Sequence, residues 1–350
     1  MHVEEARALK RDALAFAGEL LATRARAAAA PRTAAQVGVT LGLAPRGDGQ
    51  FDLAVRYQLG TPTARMVVRR VCDRAGEHVD VRRTGRIRPL AAPATGRSGA
   101  RGGARVRPPV PTAQAAGLTG RVRPLRPGVS IAHHEVTAGT LGGFVTRSAP
   151  DGADGVAGDV YALSNWHVLA GSPSARPGDV ILQPGPADGG TDPQDRVGEL
   201  ALAAPLSPQG ANAVDAALAR LDDPRVDPRY PVGVLAGAGE VAGDEVVAKI
   251  GRTTGLTEGR ITAIELDDVI VGYGEPLGEL RFDDQIEVES TGPGAFSRGG
   301  DSGSLVYRPA DRVAIGLLFA GSETGGQNDS GLTYLNPITA VLGAVGATLV

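Results

Sequence analysis

Gly300-Asp301-Ser302-Gly303-Ser304-Leu305-Val306 sets a serine between two glycines on a turn that feeds an apolar strand. A serine hydroxyl is a weak nucleophile at neutral pH unless a neighbouring base takes its proton, so Ser302 gains chemical meaning only with a histidine. Five are available: His2, His78, His133, His134 and His167. His167 has the matching setting. Tyr161-Ala162-Leu163-Ser164-Asn165-Trp166-His167-Val168-Leu169 is an apolar strand that ends at the histidine and turns at Ala170-Gly171-Ser172. Between the two, Val214-Asp215-Ala216-Ala217-Leu218-Ala219-Arg220-Leu221 holds one carboxylate in a small, apolar run. A buried acid needs a partner, and an imidazole N–H is a good one. A lone Gly-Asp-Ser-Gly, buried aspartate or strand-end histidine is ordinary structure, whereas the order His167, Asp215, Ser302 is one of the known triad orders. His133-His134 read as part of a strand or loop, and no metal role is expected.

At these residues the chain resembles the trypsin/chymotrypsin-like serine proteases, over roughly residues 128 to 350. Lys249-Ile250-Gly251-Arg252-Thr253-Thr254-Gly255-Leu256-Thr257-Glu258-Gly259-Arg260-Ile261 is similar to the hairpin that opens the second barrel in many bacterial and viral members. Ser-Asn-Trp-His-Val-Leu, Gly-Arg-Thr-Thr-Gly-Leu-Thr and Leu-Leu-Phe-Ala-Gly-Ser are together most similar to the intracellular trypsin-like proteins typified by the plant narrow-leaf protease. The resemblance implies a mainly β chain of two antiparallel, chymotrypsin-like β-barrels with the triad in the cleft between them.

It further implies an intracellular serine endopeptidase that hydrolyses peptide bonds through an acyl-enzyme. Ser302 attacks the carbonyl, His167 accepts the proton, and Asp215 holds the imidazole. The backbone N–H groups of Gly300 and Ser302 hold the oxyanion. No cofactor or metal is implied. Ala295-Phe296-Ser297-Arg298-Gly299 and Leu318-Phe319-Ala320-Gly321-Ser322 align with the two walls of the primary specificity pocket, which assigns Phe296, Ser297, Phe319, Ala320 and Gly321 to it. Phe296 falls where trypsins carry the carboxylate that binds Lys or Arg, so an apolar or small pocket is expected, unless Glu323 reaches in. Asp301 is expected to anchor the turn through Arg298 or a backbone donor. No Ile-Val-Gly-Gly-type start is visible for the N-terminal insertion that activates zymogens.

A chain of 350 residues has room for two or three folding units. Its formal charge of −3 hides an asymmetry: residues 1–127 carry 23 basic and 9 acidic side chains, the remainder 13 and 30. The basic first third suggests an alternative, a protease-fold scaffold or nucleic-acid-binding protein that grips phosphates. Stacking aromatics are missing from it, and attraction to the acidic remainder is the simpler expectation. The partners expected are a protein or peptide substrate and no membrane, with a homo-oligomer left open. Cys72 is the only cysteine, so no intrachain disulfide forms. The first residues lack the apolar core of a secretory signal, and no apolar run nears the roughly 20 residues that span a bilayer, which predicts a cytoplasmic protein.

Along the chain, residues 3–30 read as an amphipathic helix with Leu9, Ala13, Phe16 and Leu20 on one face. Strands over 36–43 and 50–59, a helix over 62–75 and a strand over 78–87 complete a small α/β N-terminal domain, 1–90, with its sheet covered on one side. From 81 to 127 there are 11 arginines and no acid among Pro, Gly and Ala, which predicts a flexible linker over 91–127. Thr84-Gly85-Arg86-Ile87-Arg88-Pro89-Leu90 recurs almost unchanged as Thr119-Gly120-Arg121-Val122-Arg123-Pro124-Leu125, through equivalent strand-edge sites or by accident of composition. The protease domain, 128–350, then divides into barrel one, about 129–230, barrel two, about 231–335, and a closing helix, 337–349. Asn336-Pro337 supplies the N-cap and first position of that helix.

Overall fold

The computed structural model describes residues 1–28, 37–90, 111–147, 159–327 and 330–350. The chain begins with α1 (Val3–Ala28), then β1 (Val39–Gly47), β2 (Gln50–Tyr57), α2 (Pro62–Ala75), β3 (Val79–Arg83) and the short β4 (Ile87–Pro89). β1 and β2 form a hairpin, and α2 carries the chain over to β3, which lies parallel to β2. Thr61 starts α2 by accepting a hydrogen bond from Ala64 N at 3.1 Å, with Pro62 at the first helical position. Both helices cover one face: Ala13, Ala17 and Leu21 pack with Leu41, Leu53, Val55, Val67 and Val71. Each such valine or leucine contributes about 1.5–3 kcal/mol by burial. The buried stripe of α1 is Ala6, Lys10, Ala13, Ala17 and Leu21, not the one drawn through Leu9, Phe16 and Leu20. Alanines let the helix lie close to the sheet, and the larger side chains flank the contact.

Next come β5 (Ser130–His133), β6 (Gly139–Thr140), β7 (Gly143–Thr146), β8 (Tyr161–Ser164), α3 (Trp166–Leu169), β9 (Val180–Leu182), β10 (Arg196–Ala203), β11 (Ala211–Asn212) and β12 (Ala217–Leu221). The rest is β13 (Gly237–Ala238), β14 (Val246–Gly251), β15 (Gly255–Asp267), β16 (Val269–Gly274), β17 (Gly278–Phe282), β18 (Gln285–Ser290), β19 (Leu305–Arg308), β20 (Val313–Gly325), β21 (Gly331–Pro337), α4 (Ile338–Val345) and β22 (Thr348–Leu349).

The first β-barrel sheet runs β22-β7-β8-β12-β10-β9-β5-β6. β6 and β7 are two halves of one strand bent at Leu141-Gly142, and Gly142 N continues the β7–β8 ladder to Leu163 O at 2.9 Å. The sheet therefore curls round on itself. The second barrel runs β14-β19-β20-β21-β18-β15 and closes through the β14–β15 hairpin. Apolar side chains fill each: Ile131, Phe144, Leu169 and Ile181 in the first, Ile261, Val288, Phe296, Val306 and Leu318 in the second.

Three further features differ from the sequence expectation. The N-terminal sheet is not separate, because β1 pairs antiparallel with the far half of the 13-residue β15 and so extends barrel two. Arg56 and Glu287, 1% and 0% exposed, meet across this seam, with Arg56 Nε 3.0 and 2.9 Å from the two carboxylate oxygens. Arg7–Glu265, Lys10–Asp267 and Arg82–Glu289 add ion pairs. Four basic side chains of the first third thus face acids of β15 and β18. Secondly, residues 91–110 lie outside the described residues, but from Pro111 on the expected linker is part of the two-barrel body. Thr112 N donates to Thr253 O at 2.9 Å, and Ala115, Leu118 and Leu125 are buried in the first barrel's core. The repeat occupies unequal settings, the first copy as β4 and the second with Leu125 in a parallel bridge to Val226. Thirdly, the closing helix is shorter than 337–349: α4 ends at Val345, Gly346 takes a left-handed φ of 59°, and β22 returns to pair with β7.

Candidate active site

α3 begins where β8 ends, which carries His167 to the mouth of the first barrel beside Asp215, just ahead of β12. His167 Nδ1 bonds Asp215 Oδ2, and His167 N donates to Asp215 Oδ1 at 3.2 Å. Both side chains are buried. A carboxylate out of water needs further donors, and Tyr273 supplies one from β16 by donating its hydroxyl to Asp215 Oδ2. Burial, and then the neighbouring carboxylate, push the Tyr273 hydroxyl far above its ordinary pKa, so it stays protonated as a donor. Asn165 Nδ2 donates to Asp215 O at 2.7 Å and Asp215 N donates to Asn336 Oδ1 at 2.9 Å. Asn336 is therefore a clamp on the aspartate's backbone, not a helix cap. β21 runs through it to Pro337, and the strand ladder wins over the Asn-Pro cap signal.

Ser302 sits on the turn between barrel-two strands. Gly300 has φ 97° and Gly303 φ 94°, backbone that favours glycine. A Cβ would also lie 2.4 Å from Thr253 Oγ1 at Gly300 and 2.1 Å from Ser164 Oγ at Gly303. The second contact brings the turn against the strand that leads to His167, and Thr140 N donates to Ser302 O at 2.8 Å. Asp301 fixes the turn from within, accepting from Thr253 N at 2.8 Å, Thr254 N at 3.1 Å, Thr254 Oγ1 at 2.8 Å and Arg298 N at 2.9 Å. Lys249 Nζ lies 3.5 Å from Asp301 Oδ2, with both side chains fully buried. Burial pushes the Lys249 ammonium pKa down while Asp301 supports the charge.

No hydrogen bond joins Ser302 to His167 in this arrangement. Ser302 Oγ donates to Phe319 O at 3.1 Å and accepts from Leu90 N at 3.1 Å, while His167 Nε2 is buried without a partner among the described residues. Gly300 N donates to Leu90 O. β4 therefore lies along β20 and covers the serine, which is 0% exposed.

The expected pocket residues divide. Phe296 is buried with Leu318 in barrel two, and Leu90 packs against that cluster. Gly321 leaves the space that Leu90 occupies: a Cβ there would come within 3.0 Å of Leu90 Cδ2. Ser297 Oγ pairs with Thr333 Oγ1 at 2.6 Å. Phe319 and Ala320 face the other way, into the cluster with Ile87, Tyr273 and Phe282, so Phe319 offers the pocket its carbonyl and not its ring. Glu323 does not reach in; its Oε2 accepts from Arg86 N at 3.1 Å. His133, His134 and Glu135 place ligand-type atoms within 4.8 Å of one another, but His133 Nε2 bonds Asp179 at 3.2 Å and its Nδ1 accepts from Glu135 N at 3.1 Å. A cavity of about 680 Å³ lies at the seam, between Arg7, Phe51, Glu240 and Ile286, and none of the triad or pocket residues lines it.

No family model and no curated protein matches the chain. Among solved structures it is similar to Thermobifida fusca protease A, at 20% identity and TM-score 0.43 over 65% of this chain and 98% of that one. A Nocardiopsis protease gives 18% identity and TM-score 0.43 over 64% and 98%. A Cellulomonas bogoriensis chymotrypsin gives 21% identity and TM-score 0.41 over 65% and 98%.

Proposed function

We propose that the chain is a serine endopeptidase of the trypsin/chymotrypsin-like type, with His167, Asp215 and Ser302 as its triad. The observation that carries the reading is the pairing of a buried imidazole, held on one nitrogen by a four-times-anchored aspartate and unpartnered on the other, with a serine turn whose Gly300 N already holds a peptide carbonyl oxygen. Asp215 fixes the imidazole with Nδ1 protonated, so that Nε2 is the basic nitrogen. Nε2 takes the proton of Ser302 as Oγ attacks the substrate carbonyl. Charge gathering on that oxygen is met by Gly300 N–H and Ser302 N–H, dipoles set before the reaction and fixed by Asp301. Collapse expels the amine, which takes its proton from His167. Water then hydrolyses the acyl-enzyme by the same route.

The space over Gly321, bounded by the cluster of Phe296 and Leu318, suits an aliphatic or modest aromatic side chain at the cleaved residue. The alternative of a nucleic-acid-binding scaffold is not favoured: Arg7, Lys10, Arg56 and Arg82 are taken up by acids at the seam. Hydrolysis of short fluorogenic peptides by Leu90→Asp, in which the residue that covers Ser302 no longer fits its apolar site, and by Leu90→Asp/Ser302→Ala tests the proposal: turnover is expected only with the serine, and equal turnover by both proteins overturns it.

A further inference from the structure

The peptide that fills the cleft belongs to this chain. Ile87–Pro89 runs antiparallel to β20, with Pro89 opposite Ala320, Arg88 opposite Gly321 and Ile87 opposite Ser322. Hydrogen bonds continue the ladder on both sides: Leu90 N to Phe319 O at 3.3 Å, Glu323 N to Arg86 O at 3.2 Å and Thr324 N to Thr84 O at 2.9 Å. Side chains alternate as they do in an extended peptide read by pockets. Ile87 is 3% exposed in the cluster of Val271, Tyr273 and Phe319; Arg88 points to solvent; Leu90 lies over Gly321. The segment then ends at the nucleophile, with Leu90 O on Gly300 N and Leu90 N on Ser302 Oγ.

A strand used only to cover a sheet edge has no need to put a leucine in the specificity pocket and the same residue's carbonyl on the oxyanion donor. We infer that the bond on the carboxyl side of Leu90 is the enzyme's own first substrate, and that the N-terminal domain, once cut, stays in place as an inhibitor that fills the cleft. The inference rests on the protease reading above. In the cleavage, Ser302 Oγ bonds to the Leu90 carbonyl carbon as its proton passes to His167 Nε2, and the displaced electron pair goes to Leu90 O. The intermediate collapses by breaking the bond to the nitrogen of Ala91, which leaves as an amine with the proton from His167. One water then adds to the acyl carbon, its proton passing through His167 back to Ser302 Oγ as the ester bond breaks. The products are a Leu90 carboxylate and a free amine at Ala91.

Before attack the Ser302 hydroxyl must turn from Phe319 O to His167 Nε2, and the present arrangement is thus a resting one. Retention follows from the seam: the β1–β15 ladder and the fully buried Arg56–Glu287 pair do not depend on the chain being continuous beyond Leu90. Buried pairs are screened little by salt, so high ionic strength alone does not release the domain.

The test uses full-length wild type, Ser302→Ala, Leu90→Asp and Leu90→Met, followed by intact mass, N-terminal sequencing, size exclusion and labelling with an alkyl fluorophosphonate. Wild type and Leu90→Met are expected to yield fragments 1–90 and 91–350 that co-elute, and Ser302→Ala to stay one chain. Leu90→Asp, whose carboxylate does not fit the apolar pocket, should remain uncut there and label at Ser302 at least about tenfold faster than the wild-type complex. Wild type that labels at Ser302 but stays intact after Leu90, with Leu90→Asp labelling at the same rate, overturns the inference and leaves the protease reading standing. Failure of Ser302 to label in both wild type and Leu90→Asp overturns the protease reading itself.

Discussion

Asp301→Asn should separate the turn's anchor from its chemistry. The carboxylate accepts four hydrogen bonds with no solvent exposure and sits 3.5 Å from the Lys249 ammonium. An asparagine keeps one acceptor oxygen but sets an NH₂ group against the donor Arg298 N, and it leaves Lys249 buried without a counter-charge. Removing one partner of a buried pair costs about 3–5 kcal/mol. In a unit of 150–250 residues each kcal/mol shifts Tm by about 2–4 °C, so the expected fall is about 6–20 °C. Because Asp301 sets the Gly300 turn, kcat should also fall by about 10²- to 10³-fold, as for loss of one oxyanion donor. Adding Lys249→Met removes the orphaned charge and should restore about 1–3 kcal/mol relative to Asp301→Asn alone, a coupling of the size contacting residues show.

The same pair gives a pH signature. Burial lowers the Lys249 pKa below its ordinary 10.5. The unfolded chain therefore binds that proton more tightly than the native one, and stability rises with pH between the lowered native value and 10.5. Lys249→Met should lack this rise. Scanning calorimetry across pH, with peptide hydrolysis on the same samples, reads all these effects. A Tm for Asp301→Asn within about 2 °C of wild type, or a double variant no more stable than Asp301→Asn, refutes the reasoning.

Asp215→Asn should lower kcat by about 10⁴-fold with the fold intact, since an amide holds the wrong imidazole tautomer; circular dichroism and steady-state kinetics check it. Tyr273→Phe keeps the stack on Phe282 but loses a hydrogen bond to a charged group, of about 1.5–3 kcal/mol, so kcat should fall by about 10- to 150-fold with KM unchanged. A rise in KM alone would mean that Tyr273 serves substrate binding and not the aspartate. In a peptide library, Leu at the cleaved residue should outrun Arg and Lys, and dominance of Arg would show that an acid reaches the pocket.

The turn around Ser302 was the easiest part to read, because the two glycines that flank it carry their backbone requirement in their identity. α2 was equally plain, since Thr61-Pro62 has no strand reading. The supports of Asp215 were not legible: Asn336 comes from the end of β21 in barrel two, and Tyr273 from β16 in a small separate sheet, β11-β17-β16, and only long-range pairing brings them to Asp215. Lys249, one of two lysines in the chain, was a signal that rarity could have raised, yet its buried partnership with Asp301 depends on the β14–β19 pairing. The segment 84–90 read as the end of a strand in a separate domain. Its arginines and proline gave no sign of a ladder with residues more than 200 positions later, a register set by β20's free edge and by the hole over Gly321. Composition misled at 111–127, where a few buried residues, Ala115, Leu118 and Leu125, outweigh a polar surround.

The central claim is that Ser302 is a nucleophile activated by His167, and the site of covalent modification tests it most directly. Full-length wild type, Leu90→Asp and Leu90→Asp/His167→Ala are treated with an alkyl fluorophosphonate, digested and mapped by mass spectrometry. The account predicts an adduct on Ser302, formed faster in Leu90→Asp than in wild type and nearly lost when His167→Ala is added. An unmodified Ser302 in both His167-containing proteins, or modification that His167→Ala leaves undiminished, contradicts it.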